Sequence, residues 1–211
     1  MDNNSIRLPG QILYKFTCPN NLLDFIRSYS LQIQWDKVPR RGNTDNSGRS
    51  YLHDSFTSLH MIKELEPLHA WIDDCLNDVN KKVEWDKTAC LNKIKISQSW
   101  LNCSMPGEEH HLHNHPLSLL SAILYIQGKA ETTFQFNSLH SLPAILGCKP
   151  EAVNKFFCVN CQSQLGTLLV FPSTLLHKVG INNDKVNRIT MSFNSWFEGG
   201  VGQPKTLAYI P

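Results

Sequence analysis

The sequence predicts a mainly β chain with flanking α-helices, its second half forming two facing sheets or a jelly roll. Three observations carry this. Past Lys93 the chain breaks into short runs of period-two patterning, at 94–103, 119–127, 131–136, 166–171, 177–181 and 186–196, as half-buried strands do. Turn signals such as Pro106-Gly107 and Asn182-Asn183-Asp184 separate the runs. Before Lys93 the apolar residues instead recur at intervals of three or four, the spacing of one helix face.

In chain order, QILYKFTC at 11–18 alternates and carries aromatic and branched side chains, which predicts an early strand ending before Pro19. Asn20 or Asn21 is placed to cap a helix through about Tyr29, with Leu22, Leu23, Phe25 and Ile26 on its buried side. The stretch 36–50, rich in Arg, Gly, Asn, Asp and Ser, has no hydrophobic period and reads as a loop. From Ser58 to about Lys81, Leu59, Ile62, Leu65, Leu68, Ile72, Leu76 and Val79 predict one amphipathic helix, or two short ones split near Pro67. The segment 138–165 interrupts the later strand series and reads as an insertion. The expected organisation is therefore a single domain over 1–211: 1–92 mostly helical support with an early strand, 93–197 a jelly-roll core carrying the insertion, and 198–211 a C-terminal tail.

The chain has 211 residues, 41% of them hydrophobic and 18% charged, enough for one well-filled core and too little for several. Its longest apolar stretches, Leu117 to Ile126 and Gly166 to Pro172, fall short of the roughly 20 residues of a membrane-spanning helix. The opening MDNNSIRLPG lacks the apolar run of a secretory signal, and seven cysteines is an odd count; both predict a reduced, cytoplasmic protein. A net charge of +2 gives no field to gather nucleic acid or anionic lipid. The one basic cluster, Lys37, Arg40, Arg41 and Arg49, lies in the loop and reads as solvated. Nothing in the composition shows whether the substrate is a small molecule, a peptide or a protein, or fixes the oligomeric state.

Nine histidines stand out, four of them between 110 and 115 in the run PGEEHHLHNHP at 106–116. Alternate side chains of an extended chain share a face, so His111, His113 and His115 would point one way and His110 with Asn114 the other. Pro116 pushes His115 towards extended geometry. An H-x-H pair thus aims two imidazoles at one point, and His177, ending the apolar run GTLLVFPSTLLH, can supply a third metal ligand from elsewhere. Parity alone equally allows His111 in place of His115, and Glu108 or Glu109 offers a carboxylate. Separately, Cys158 and Cys161 form a C-x-x-C, with His140 and Cys148 upstream; a single such pair is a weak zinc signal and favours free thiols.

The stretches SWLNCSMPGEEHHLHNHPLSLLSAILYI and GTLLVFPSTLLHKVGINNDKVNRITMSFN, about half of the chain, resemble the iron(II)- and 2-oxoglutarate-dependent oxygenases, in particular a phage and bacterial group distantly similar to prolyl hydroxylases. The resemblance implies a double-stranded β-helix, or jelly roll, with helices packed outside one sheet, and Fe(II) and 2-oxoglutarate as cofactors. It also implies hydroxylation of an unidentified substrate with release of succinate and carbon dioxide. By the same resemblance His113 and His177 match the first and last metal ligands, and His115 stands where most of the superfamily has Asp or Glu. Arg188 matches the position that holds the distal carboxylate of 2-oxoglutarate. Arg suits that task because its planar fork donates two parallel hydrogen bonds. Thr190 lies two positions on and shares its face, and Asn102 and Tyr125 are further candidates for the same pocket. Two other readings fit the histidines: a cupin-like three-His metalloenzyme without 2-oxoglutarate, distinguished by whether Arg188 faces the metal, and a catalytically silent jelly-roll binding module.

Overall fold

The computed structural model describes residues 5–8, 11–33, 35, 49–51, 58–82, 93–135, 158–201 and 208–210. In it the longest alternating segments of the sequence form the central ladder. The strands are β1 (Ser5–Leu8), β2 (Gln11–Thr17), β3 (Arg49–Tyr51), β4 (Ile94–Ser104), β5 (His110–His113), β6 (Leu120–Gln127), β7 (Ala130–Gln135), β8 (Cys158–Ser163), β9 (Thr167–Pro172), β10 (Leu176–Val179), β11 (Arg188–Phe197), β12 (Gly199–Val201) and β13 (Ala208–Ile210). A major sheet runs β1-β2-β9-β6-β11-β4-β3, and a minor sheet runs β5-β10-β7-β8. A ribbon joins β12 to β13. The helices are α1 (Asn20–Gln32) and α2 (Glu66–Lys82). Two facing antiparallel sheets with helices outside one of them form the double-stranded β-helix implied by the resemblance.

The two faces of β11 show how the layers divide. Ile189, Met191 and Phe193 point outward and join Leu68, Ile72 and Leu76 of α2 in the core between helices and major sheet. The alternate residues Arg188, Thr190, Ser192 and Asn194 are also buried but polar, and they face the space between the sheets. A second apolar cluster, including Leu13, Tyr125, Phe134 and Phe171, fills the rest of that space. Along β4 the inward residues run from exposed Gln98 through half-buried Trp100 and Asn102 to buried Ser104. The space between the sheets therefore opens at the Gln98 end and closes where Ser104 pairs with Arg188. α2 is fastened to β4 by Asp73 Oδ1, which accepts from Ile96 N, and by Asn77, which bonds both the N–H and the carbonyl of Ile94.

Several expectations are corrected. α1 starts at Asn20 itself, and the Pro19 carbonyl accepts from Leu22 N and Leu23 N, so neither asparagine caps it. Its buried side is Leu23, Ile26 and Ser30; Phe25 is 39% exposed, because it lies off that stripe. Pro67 does not split a helix but sits in the first turn of α2, where a missing N–H costs nothing, after 3-10 turns at Leu59–Met61 and Lys63–Leu65. The expected insertion 138–165 ends in β8, which pairs along β7. The early strand of 1–92 is joined by β1 and β3, and the tail contributes β12 and β13. Most of the loop 36–50, the rest of the insertion, His140 and Cys148 lie outside the described residues. Cys158 and Cys161, three apart on one strand, project to opposite faces and cannot share a metal. Among the described residues no helix is long and apolar enough to cross a membrane.

One buried group is poorly served. His69 on α2 is 5% exposed, meets the Phe193 ring edge-on at 6.1 Å, and has no hydrogen-bond partner on either ring nitrogen. Burial, with a smaller contribution from His60, pushes its pKa down to about 4. The folded state thus keeps this imidazole neutral while the unfolded chain takes up a proton below pH 6.5, so stability is lost as pH falls from 6.5 towards 4. His69→Leu, which removes the unsatisfied group while keeping the volume, is expected to raise stability at neutral pH by about 1–2 kcal/mol. It should also flatten the loss between pH 6.5 and 5. Urea unfolding of both proteins at the two pH values checks this, and a less stable variant at pH 7 would contradict it.

Candidate active site

The histidine-rich run forms β5, the edge strand of the minor sheet, paired antiparallel to β10. The register is irregular: His113 faces His177 and His110 faces Val179, three residues on β5 against two on β10. The extra residue is a β-bulge, and it resets the alternation of side chains. His110 and His113 therefore both line the site, with ring centroids 4.4 Å apart, while His111 is exposed. This corrects the strict parity expected for 110–115 and removes His111 as a replacement for His115. Past the strand, His115 is held by its N–H, which donates to the Ser173 carbonyl at 2.9 Å. The turn that follows leaves Leu117 at φ 58°, a conformation that strains a branched residue.

His113, His115 and His177 converge: one ring nitrogen from each lies within 4.8 Å of the others, and no other such group of His, Cys, Asp or Glu occurs among the described residues. Glu108 and Glu109 are not part of it; a Glu108 carboxylate oxygen accepts from Met105 N at 2.6 Å. The Nδ1 of His113 lies 2.8 Å from the His111 carbonyl, and that of His177 lies 3.0 Å from the Leu175 carbonyl. A carbonyl can only accept, so both Nδ1 atoms carry hydrogen and both Nε2 atoms present lone pairs to the site. His115 Nε2 and His177 Nε2 are 3.3 Å apart. Two nitrogens bound at right angles to one metal at about 2.1 Å would be separated by about 3 Å. Burial, with His113 adding to it, lowers the His115 pKa to about 4. Burial lowers that of His177 well below the ordinary value, the neighbouring imidazoles adding to this and the Leu175 carbonyl opposing it. Both rings stay neutral, as ligation requires.

Arg188 lines the same cavity from the closed end. It is 3% exposed; Nη1 donates to the Gly180 carbonyl at 2.8 Å, and Nη2 is buried with no partner among the described residues. Burial pulls its pKa down, partly offset by Tyr125 and Glu108. Thr190 pairs with Asn102 on one side and Tyr125 on the other, so the three stand on one rung beside the guanidinium. Thr190 and Asn102 line the cavity, the latter donating to Ser192 Oγ at 3.0 Å. The Tyr125 hydroxyl is spent on Thr132 Oγ1 and its ring lies in the inner core. Sequence reasoning missed four contributors. His110 was hidden by the bulge. Trp100 packs its ring 5.7 Å from that of His115, with no signal beyond its place on a strand. Gly180 supplies a backbone carbonyl, invisible to residue type. Gly128, flagged only by its place between two alternating runs, has φ +78°, and a Cβ there would sit 3.1 Å from Arg188 Cα.

Residues 98–194 match the model of a family described as "Putative 2OG-Fe(II) oxygenase". That span holds every site residue described above. Solved structures agree on the fold. The α-ketoglutarate-dependent epimerase SnoN of nogalamycin biosynthesis is 10% identical, with a TM-score of 0.61 over 90% of this chain and 80% of that one. HygX from Streptomyces hygroscopicus, solved with nickel and 2-oxoglutarate bound, is 12% identical, with a TM-score of 0.58 over 87% and 82%. A prolyl-4-hydroxylase from Pseudomonas putida is 12% identical, with a TM-score of 0.57 over 89% and 93%. A search of curated protein sequences finds no match. Fold and site together define a metal- and 2-oxoacid-dependent oxygenase. Residues 98–194, the span matched to that family, carry this iron(II)- and 2-oxoglutarate-dependent oxygenase character.

The close approach at Gly128 generates a prediction. Gly128→Ala places a side chain at positive φ and against Arg188, and is expected to cost about 1–3 kcal/mol of stability. Denaturant unfolding measures it; an unchanged midpoint would mean that Arg188 is not pinned by this turn.

Proposed function

We propose that His113, His115 and His177 hold the iron, that Arg188 with Thr190 holds the distal carboxylate of 2-oxoglutarate, and that the enzyme hydroxylates an organic substrate. Substrate, oxygen and 2-oxoglutarate would yield hydroxylated product, succinate and carbon dioxide. The observation that carries this is the unpartnered Nη2 of Arg188 in the cavity that the three imidazoles share. A buried cation with a vacant donor is costly unless an anion reaches it. A dicarboxylate spanning the space from imidazoles to guanidinium answers that need; the cupin-like reading leaves Arg188 without a purpose.

When bound, iron with 2-oxoglutarate would activate dioxygen, which is the oxidant: two of the four electrons it takes come from 2-oxoglutarate and two from the substrate. The protein's own groups do the positioning. The Leu175 and His111 carbonyls fix the His177 and His113 rings, the Gly180 carbonyl holds the guanidinium, Gly128 lets the Arg188 backbone approach closely, and Phe134 and Phe171, 5.9 and 4.7 Å from the His177 ring, keep water from that side. With His115 in place of a carboxylate, the ligand set is neutral and leaves the metal's charge for the cosubstrate to balance. The odd count of seven cysteines supports the cytoplasmic setting expected from the sequence.

His113→Ala or His177→Ala is expected to abolish binding of iron(II), measured by equilibrium dialysis, while His111→Ala retains it. His115→Ala should lose the metal and His115→Asp keep it. Full binding by the His113 or His177 variants would overturn the assignment. Arg188→Lys should weaken 2-oxoglutarate binding by about 1.5–3 kcal/mol, because the forked donor is lost, with metal affinity nearly unchanged. Calorimetric titration of the metal-loaded proteins checks this; undiminished affinity would remove Arg188 from the cosubstrate site.

A further inference from the structure

Given a 2-oxoglutarate site between the three imidazoles and Arg188, as proposed above, we infer that His110 is a fourth, non-ligating imidazole that binds the 2-oxoacid end of the cosubstrate. Its place on the minor sheet carries this. On β10, His177 pairs with His113, Val179 pairs with His110, and the next residue, Gly180, holds Arg188 through its carbonyl. From His177 to Gly180 is about 10 Å at 3.3 Å per residue. A ligand reaching from the imidazoles to the guanidinium must pass the Val179–His110 rung. On the opposite wall it passes the Thr190–Asn102 rung.

His110 stands on the rung between His177 and Gly180, and its ring reaches back towards the imidazole end of that path. Its ring meets the His113 ring edge-to-face with centroids 4.4 Å apart, yet its nitrogens are not within the convergent set of the other three. It is therefore a neighbour of the metal position and not a ligand. Without the bulge in β5 this ring would leave the cavity and His111 would take its place; the extra residue puts a hydrogen-bond donor where a carboxylate or keto oxygen arrives. Val179 opposite it is apolar, and Thr132, which pairs with Val179 on its other side, has its hydroxyl on Tyr125.

The test uses the full chain loaded with Ni(II) and two probes: 2-oxoglutarate, and 2-oxobutyrate, which keeps the 2-oxoacid end and lacks the distal carboxylate. His110→Phe, similar in size without a donor, is expected to weaken both by about the same factor, roughly tenfold, with Ni(II) affinity unchanged. His110→Gln, which restores a donor, should recover most of the loss for both probes. The factor for Arg188→Lys, by contrast, should appear with 2-oxoglutarate and vanish with 2-oxobutyrate. Unaltered affinities in His110→Phe would overturn the inference, as would a loss confined to 2-oxoglutarate, which would place His110 at the distal end. Loss of Ni(II) would overturn it by making His110 a ligand. Should the wild-type protein hold Ni(II) but bind neither probe, the proposed cosubstrate site itself would fall, a result distinct from failure of the His110 variants alone.

Discussion

A guanidinium buried without an anion is the constraint around which this molecule is arranged. Arg188 sits at the closed end of the space between two sheets, with Nη1 on the Gly180 carbonyl and Nη2 on no partner among the described residues. Such a group is held by its surroundings. β11 is clamped between β4 and β6 along its length, and its outward residues are packed against α2. That outward packing supplies the apolar burial, which frees the inward positions to be Arg, Thr, Ser and Asn. At the closed end Asn182 ties two loops together: its side chain donates to the Ser104 and Val186 carbonyls, and its backbone bonds both Gly107 and Glu108. The start of β11 and the approach to β5 are thereby fixed to one another, and with them Arg188 and the first of the histidines.

The second half of the site solves a different problem, bringing three uncharged rings together without protonating them. Two of the imidazoles come from strands that pair directly, so their separation is set by the ladder, and the third is set by a backbone bond to Ser173. Apolar neighbours strip water from the His177 ring and make its charged form unfavourable. A carboxylate in the place of His115 would have paired with that charge; a neutral ring leaves the site more electropositive and more nitrogen-rich, the ligand chemistry that tolerates several divalent metals. In the proposed reading, the positive end of the cavity at Arg188 and the metal position would act on opposite ends of one dianion.

Much of this was legible in the residues. Strand periodicity located the six central strands to within a few positions, and H-x-H followed by a distant His after an apolar run pointed to His113 and His177 while leaving His115 or His111 open as the third member. Arg188 and Thr190 shared a face by simple alternation, as did Ile189 and Met191 on the other side. What escaped has physical causes. A bulge adds one residue to one strand and inverts every parity argument downstream of it, which is why His110 and His111 exchanged places. Pro67 is compatible with either the start or the interruption of a helix, and only the packing of Leu68 and Ile72 against the sheet decides. C-x-x-C reads as a metal motif when the backbone turns between the cysteines; in a straight strand the same spacing separates them. Backbone contributors such as the Gly180 carbonyl leave no trace in residue type.

The most direct measurement is a crystal structure of the protein grown with Ni(II) and 2-oxoglutarate, with the metal located by its anomalous scattering. The account predicts one ion bound by the Nε2 atoms of His113, His115 and His177, and a dicarboxylate whose distal oxygens meet Nη2 of Arg188. An ion bound elsewhere, or a guanidinium whose Nη2 still faces no anion in the presence of the ligand, would contradict it.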